Sequence, residues 1–257
     1  MLDWLARVYR TLGTGFFFAI LFGGGAVIAT IAFPIVSLTT RNTERRWARK
    51  QYIIHLLFRF YIGLMRFMRL AFFEFRGLEK LRNAPGKLVI ANHPSLLDVV
   101  LLMSLIPRAQ CIVKQELWES PYLGRLVRGA GYISNALPSE QLLAACRQAI
   151  ELDACLIVFP EGTRSTPGAP IQLQRGFANI ALLLGLDIQL VTITCSPPTL
   201  LKGQKWYEIP ARRPVFCVDV GQVISVAHLL NDHARPLAAR KLVRTVAAYY
   251  EDRLANG

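Results

Sequence analysis

The chain has 257 residues, a formal net charge of +13 and 53% hydrophobic residues. That length suits one domain of ordinary size with an appendage. A basic soluble nucleic-acid binder would be more polar and would carry a recognisable motif, so nucleic acid is excluded as the partner.

High positive charge joined to high hydrophobicity fits a protein lying on an anionic membrane surface. The five cysteines, Cys111, Cys146, Cys155, Cys195 and Cys217, are odd in number, widely spaced and set mostly among apolar neighbours. None has metal-type pair spacing, so the expectation is reduced, buried thiols in a cytosolic domain, with no metal and no bound cofactor.

No charge appears between Arg10 and Arg41, and residues 12–35 are dense in Phe, Ile, Leu, Val, Ala and Gly. A helix crossing the hydrocarbon core needs about 20 apolar residues, so this segment is long enough. A cleavable signal peptide fits less well, because the run exceeds a signal core and no small-x-small site follows. Gly23-Gly24-Gly25 leaves room for a re-entrant hairpin as well as a membrane-inserted helix. Arg41, Arg45, Arg46, Arg49 and Lys50 follow, opposed only by Glu44, whereas the amino-terminal flank offers Arg7 and Arg10 against Asp3. That asymmetry puts the carboxyl side in the cytoplasm, with a bacterial inner membrane as the expected location. Each basic residue near an anionic leaflet contributes about 1 kcal/mol of attraction.

Residues 52–73 read as a second membrane element. His55, Arg59, Arg66 and Arg69 fall along one helical stripe, and the remainder is apolar. Such a helix lies in the interface plane; a core helix that snorkels its arginines is the alternative. His55 belongs to the stripe and has no catalytic part.

From about Gly77 the pattern alternates. Strands are predicted at 88–91, 110–113, 155–159, 188–194 and 216–220, and helices at 96–105, 121–128, 139–152, 176–184 and 236–253. This alternation means an α/β fold, a mixed, largely parallel sheet flanked by helices. The chain therefore divides into a membrane part, 1–76, and a catalytic domain, 77–257. A basic-aromatic loop at 200–214, with Lys202, Lys205, Trp206, Tyr207, Arg212 and Arg213, either touches lipid headgroups or is a solvated connection.

Two polar clusters follow predicted strands. Asn92-His93-Pro94-Ser95-Leu96-Leu97-Asp98 comes after 88–91, and Phe159-Pro160-Glu161-Gly162-Thr163-Arg164-Ser165 closes the strand at 155–159. Loops past the carboxyl ends of parallel strands are where open α/β sheets build active sites. Moving an acyl group from a thioester to an alcohol needs a base for the hydroxyl proton, and histidine suits this at neutral pH. A carboxylate on its other ring nitrogen fixes the tautomer, which makes His93 the base and Asp98 its orienting acid. Arg164 offers forked donors matched to phosphate, and Gly162 lets the backbone approach a ligand. An internal salt bridge from Arg164 to Glu161 or Asp98 is the purely structural alternative, and Glu161 itself can serve to orient the loop. Ser95 and Ser165 lack the Gly-x-Ser-x-Gly elbow of hydrolases, so direct attack without an acyl-enzyme is the simpler route.

With these residues the chain resembles the lysophospholipid acyltransferases of the lysophosphatidate acyltransferase superfamily, from roughly Gly77 to Thr194. The stretch from Asn92-His93 through Asp98 is similar to the family's first block, which implies His93 as base and Asp98 as partner. Phe159 through Ser165 is similar to the third block, implying that Glu161, Gly162, Thr163 and Arg164 bind acceptor phosphate. Lys114-Gln115-Glu116-Leu117 and Arg175-Gly176 also fall where the family has similar residues, so Asn92, Lys114 and Arg175 are expected at the substrate. The resemblance implies a glycerolipid acyltransferase-like fold, acyl-CoA or acyl carrier protein as donor, and membrane lipids as partners.

Two positions depart from that pattern. The second block, usually Gly-x-Ile-x-Arg, is Gly131-Tyr132-Ile133-Ser134-Asn135 here, so the phosphate-binding arginine is replaced by Asn135, which is expected at the substrate as an uncharged hydrogen-bond donor. The fourth block, Leu190-Val191-Thr192-Ile193-Thr194, lacks the usual proline. The expected acceptor is therefore a lysophospholipid with a larger headgroup, or another hydroxylated or amino lipid, in preference to lysophosphatidate. The competing reading is a membrane-anchored lipid-binding protein with an acyltransferase-like domain and no turnover; intact His93, Asp98 and Arg164 argue against it.

Overall fold

The computed structural model describes residues 2–82, 86–232 and 234–255. Helix α1 (Leu2–Val27) passes through Gly23, Gly24 and Gly25 unbroken, enters a π-helical stretch (Ile28–Ala32) and continues as α2 (Phe33–Thr39). The chain does not reverse at the glycines, so the hairpin form is not adopted. The irregular turn has a local cause: Pro34 stands in the first turn of α2, where its missing N–H and its ring disturb the preceding hydrogen-bond ladder. The stretch Trp4–Thr39 is one helix long and apolar enough, by length and composition, to cross a membrane.

Helix α3 (Thr43–Phe67) begins earlier than the apolar pattern suggests, within the basic cluster. Asn42 sets that start, its side chain accepting from the Arg45 N–H at 2.8 Å. The helix ends before 73 because Arg69 adopts a left-handed conformation (φ 51°) and Phe72 is drawn into a strand. One face of α3 buries Ile54, Phe58, Tyr61, Ile62 and Met65, while Tyr52, Leu56, Phe60 and Phe67 are exposed on the other with Arg59 and Arg66. The expected cationic stripe is thus incomplete. His55 is 3% exposed, with Nδ1 2.8 Å from the Met103 carbonyl oxygen, because its side of the helix packs on the α/β domain.

The α1–α2 helix runs antiparallel along α3. The Tyr9 hydroxyl donates to Met68 O at 2.9 Å, Phe17 meets Tyr61 edge-on at 5.0 Å, and the Lys50 ammonium lies 5.0 Å over the Phe33 ring. Glycines allow the close approach. A Cβ at Gly15 would stand 2.9 Å from the Trp206 ring, and one at Gly129 would meet the Phe33 ring at 2.6 Å.

The strands β1 (Phe72–Arg76), β2 (Leu88–Ala91), β3 (Ala109–Val113), β4 (Ile133–Ser134), β5 (Cys155–Val158), β6 (Ile188–Ser196) and β7 (Val215–Ile224) form one sheet. Its order is β1-β7-β6-β2-β5-β3-β4, and β6–β7 is the antiparallel pair. The sheet is mixed and largely parallel. Phe72–Arg76, which precedes the expected start of the α/β domain at Gly77, pairs with β7 as an edge strand. Its apolar character merges with the preceding helix in sequence, and only the pairing marks it as a strand.

Helices α5 (Asp98–Leu105), α8 (Ser139–Glu151), α9 (Gly176–Leu184) and α11 (Arg235–Ala255) cover the sheet; α4 (Glu79–Arg82), α6 (Gln115–Trp118), α7 (Gly124–Gly129) and α10 (Ala227–Asp232) are short connections. Alternate residues of β2 feed two cores. Val89 and Ala91 face α3 and α5, whereas Leu88 and Ile90 face α8, α9 and α11. From β2 the chain moves across β5 to β3, and from β5 it moves back across β2 to β6. The loops past β2 and β5 diverge at that reversal, the place where open α/β sheets leave a crevice.

Candidate active site

His93 follows β2 and Asp98 opens α5, so a strand end and a helix start aim both side chains into one turn. The His93 Nδ1 lies 2.8 Å from Asp98 Oδ2, with the imidazole side chain 16% exposed and the carboxylate fully buried. The same Oδ2 accepts from the Ser95 N–H at 2.6 Å, while Oδ1 finds no hydrogen-bond partner among the described residues. Burial pushes the Asp98 carboxyl above its ordinary range; the bond and charge of His93 and the Ser95 N–H pull it down. An ionised Asp98 is therefore costly unless a positive charge stands beside it. That makes the pair best suited to a histidine that gains a proton during reaction. With Nδ1 held by Asp98, Nε2 is the ring nitrogen left for chemistry, and Phe159 lies against the ring at 4.4 Å between centroids.

Asn92 does not serve a ligand. Its side chain is 1% exposed, donates to Ile193 O at 2.8 Å and accepts from Ile193 N–H at 2.7 Å, which ties β2 to β6 directly below the turn. The expected substrate role is corrected to a positioning one, because both ends of the amide are satisfied by backbone.

Glu161 takes the loop-orienting role that the sequence left open beside phosphate binding. Its Oε1 accepts from the His93 backbone N–H and from the Ser165 hydroxyl, each at 2.8 Å, and the Ser165 N–H returns a bond to His93 O at 2.7 Å. The carboxylate stitches the two loops together. An acid at this position would repel phosphate if it faced one, so the observed role is also the physically cheaper one.

Arg164 forms neither of the two salt bridges considered for it. Its Nη1 donates to Leu200 O and Leu201 O, both at 2.8 Å, and so anchors the loop that follows β6. That spends two of the five guanidinium donors and leaves Nη2 and Nε. Gly162 adopts φ +67°, a left-handed conformation that favours glycine and turns the loop beside half-buried Thr163. Lys114, after β3, and Arg175, at the start of α9, are exposed at the rim of the same sheet edge. Asn135, after β4, is exposed too, and its Oδ1 accepts from the Gln115 N–H at 3.0 Å.

Four contributors were not anticipated. Ser95 is fully buried, and its hydroxyl donates to Thr199 O at 3.0 Å, holding the turn to the post-β6 loop. The Ser95-Leu96-Leu97-Asp98 spacing is the sequence signal for it, since Ser-x-x-acid is a helix-capping pattern. Leu200 and Leu201 act through their carbonyl oxygens, which no side-chain pattern announces. Tyr250 of α11 is buried and donates to Ile90 O at 2.8 Å, two residues before Asn92.

His93, Asp98, Glu161 and Arg164 lie in a segment with known relatives. The Acyltransferase family model matches residues 72–196. The 1-acyl-sn-glycerol-3-phosphate acyltransferase of Cocos nucifera is 37% identical over 111 residues, covering 41% of this chain and 36% of that protein. The protein of the same description from Helicobacter pylori is 34% identical over 128 residues, covering 46% of this chain and 54% of its own length. The chain thus spans about a third to a half of the length of these two relatives. Over 98% of both chains the fold is similar to the crystal structure of the 1-acyl-sn-glycerophosphate acyltransferase PlsC from Thermotoga maritima, with a TM-score of 0.68 at 19% identity. In sequence and fold this chain resembles the lysophosphatidate acyltransferase superfamily, and the segment that carries the resemblance is the one holding His93, Asp98, Glu161 and Arg164.

Proposed function

We propose that the protein is a membrane-bound acyltransferase that moves a fatty acyl group from an acyl thioester, acyl-CoA or an acyl carrier protein, to the hydroxyl of a lysophospholipid or related lipid. The observation that carries the reading is the His93 Nδ1–Asp98 Oδ2 contact of 2.8 Å at the mouth of the sheet, together with the relatives that share this segment. In the reaction His93 Nε2 takes the proton of the acceptor hydroxyl as its oxygen attacks the thioester carbonyl. The imidazolium that forms is neutralised by buried Asp98. Collapse of the tetrahedral intermediate breaks the carbon–sulfur bond, and the leaving thiolate takes the proton back from His93. Positioned acid–base catalysis of this kind is worth about 10²- to 10⁴-fold in rate.

The helix pair supplies the membrane attachment. The α1–α2 helix contacts α3 from Tyr9 to Phe33, while α3 carries Lys50, Arg59 and Arg66 along the matching length. A helix standing upright through the bilayer would draw those cations into hydrocarbon, where each is expensive. The reading is therefore a pair lying along the cytoplasmic surface of an anionic membrane, with exposed Phe16, Phe22, Ile31, Phe60 and Phe67 entering the lipid. Acceptor lipid then reaches His93 without leaving the membrane.

The test is transfer by the purified full-length chain in anionic vesicles, with a labelled acyl thioester and a mixed lysolipid pool. Acylated lipid and free thiol in equal amounts are expected. Lipid binding without any thiol release, with either donor, would replace the enzyme reading by a binding one.

A further inference from the structure

A cavity of about 250 Å³ opens at the edge of the sheet opposite the catalytic turn. Strands β3, β4 and β5 run parallel, and their carboxyl ends lead to Lys114, Asn135 and Phe159. The cavity instead takes Arg108, Gly131 and Ala154, which stand within two residues of the amino ends of the same strands. It is a separate site from the one built on His93, and acyl transfer makes no use of it. Rings come to its walls from Trp47, Trp118 and Tyr132, and aliphatic carbon from Leu137 and Leu152. Two buried glutamines also line it. Gln51, 7% exposed, donates to Gln110 Oε1 and Ala130 O, each at 3.1 Å, and Gln110 donates to Gly131 O at 2.8 Å. These bonds join α3, β3 and the approach to β4, so the wall is preformed.

Arg108 is the half-buried cation of this cavity. Its Nε is cut off from solvent without a hydrogen-bond partner, and no carboxylate among the described residues forms an ion pair with it. Glu44, the one acid among the described residues that line the cavity, is exposed on the first turn of α3, where the helix N-terminus favours it. Arg128 is exposed, and its Nη1 is spent on the Trp118 carbonyl oxygen. A guanidinium taken partly out of water without a partner is costly, so this wall favours an anion. One uncompensated cation among rings and aliphatic carbon then restricts the class of ligand. A small hydrated anion gains nothing from the apolar walls. A nucleotide or coenzyme A carries several negative charges, more than one half-buried cation offsets. An apolar body ending in a single oxyanion matches both parts of the lining.

We propose that this cavity is a second binding site, for a singly charged oxyanion carried on an apolar body, with Arg108 on the anion. A fatty-acid carboxylate and the phosphodiester of a single-chain lipid share that chemistry. The experiment is equilibrium dialysis of radiolabelled dodecanoate with the full-length chain in phosphatidylcholine vesicles, with vesicles alone as background. Saturable binding of one dodecanoate at the Arg108 site is expected. Unlabelled lysophosphatidylglycerol that displaces the label more strongly than dodecanoate does identifies the lipid phosphodiester as the preferred form; weaker displacement identifies the carboxylate. Dodecanol, which lacks the charge, displaces at least about tenfold less well, and inorganic phosphate does not displace. Arg108→Gln, at an unchanged melting temperature, weakens binding at least about tenfold, and Arg108→Lys recovers part of it. Ala145→Met narrows the cavity with the cation in place and weakens binding about threefold or more. Absence of saturable binding overturns the proposal, as does dodecanol displacing as well as dodecanoate. Undiminished binding by folded Arg108→Gln overturns it too; should that variant not fold, undiminished binding by Ala145→Met does so. None of these readouts involves turnover, so the acyl-transfer reading stands or falls separately.

Discussion

The turn at His93 and the helix Trp4–Thr39 are held by opposite kinds of force. In the turn nearly every polar atom has a named partner: Asp98 for the His93 ring, Glu161 for its backbone, Ile193 for Asn92, Thr199 for Ser95. The helix is fixed by rings against rings and by glycines at Trp206 and Phe33, and it leaves Trp4, Leu12, Phe16 and Ile35 in the open. Directional bonds fix one geometry, which chemistry on a single proton requires. Apolar packing tolerates sliding and leaves apolar surface exposed, which the proposed attachment to lipid requires. Substitutions in the two regions therefore fail in different ways: the first in turnover, the second in partitioning.

Asp98→Ala gives the largest separation after removal of the base itself. It frees the His93 ring and strips the Ser95 N–H of its acceptor, so kcat falls about 10²- to 10⁴-fold while vesicle binding stays at wild type. Loss of binding along with activity would mean that the turn and the helix are not independent.

Glu161 sharpens the contrast within the turn. One oxygen accepts both bonds, so Glu161→Gln retains them and stays within about threefold of wild type, whereas Glu161→Ala loses both and falls about 10- to 100-fold. If the glutamine variant is as poor as the alanine one, the negative charge itself is being used and the positioning role is wrong.

On the other side, Phe16→Asp with Ile31→Asp places two charges on the exposed face of α1–α2. Sedimentation with anionic vesicles should show about tenfold weaker association. Turnover of a short-chain, water-soluble acceptor should not change. Unaltered sedimentation would show that another surface holds the membrane.

The smallest effect concerns stability. Burial pushes the thiols of Cys146, Cys155 and Cys195 up to about 12, against about 8.5 for an unfolded cysteine. Groups with raised folded values contribute stability that is complete below about pH 8.5 and lost as pH climbs toward 12. The melting temperature should decline over that window, and Cys155→Ala should flatten the decline. A melting temperature indifferent to alkali up to pH 11 would show that these thiols are not buried as described.

Much of this division was legible in the sequence. Leu88–Ala91 and Gly176–Leu184 have the bounds their apolar patterns predict, since each is bordered by residues that end the pattern. His93 and Asp98 were legible because both partners lie within one turn. What escaped depends on distant chain. Asn92 looked like a ligand residue because its partner, Ile193, is 101 residues away, and Arg164 looked free because backbone carbonyls 36 and 37 residues on leave no mark in sequence. Edge strand Phe72–Arg76 escaped for a related reason, and the buried face of α3 was open only as the core-helix alternative. An apolar residue reads the same whether it faces lipid or a protein core, and only packing decides.

The most direct measurement is the transfer rate of His93→Ala, reconstituted in vesicles beside wild type with equal melting temperature and equal membrane binding. Removal of the base is expected to lower kcat at least about 100-fold, with KM for the lipid nearly unchanged. A variant that keeps near-normal turnover would contradict the assignment of His93 as the base.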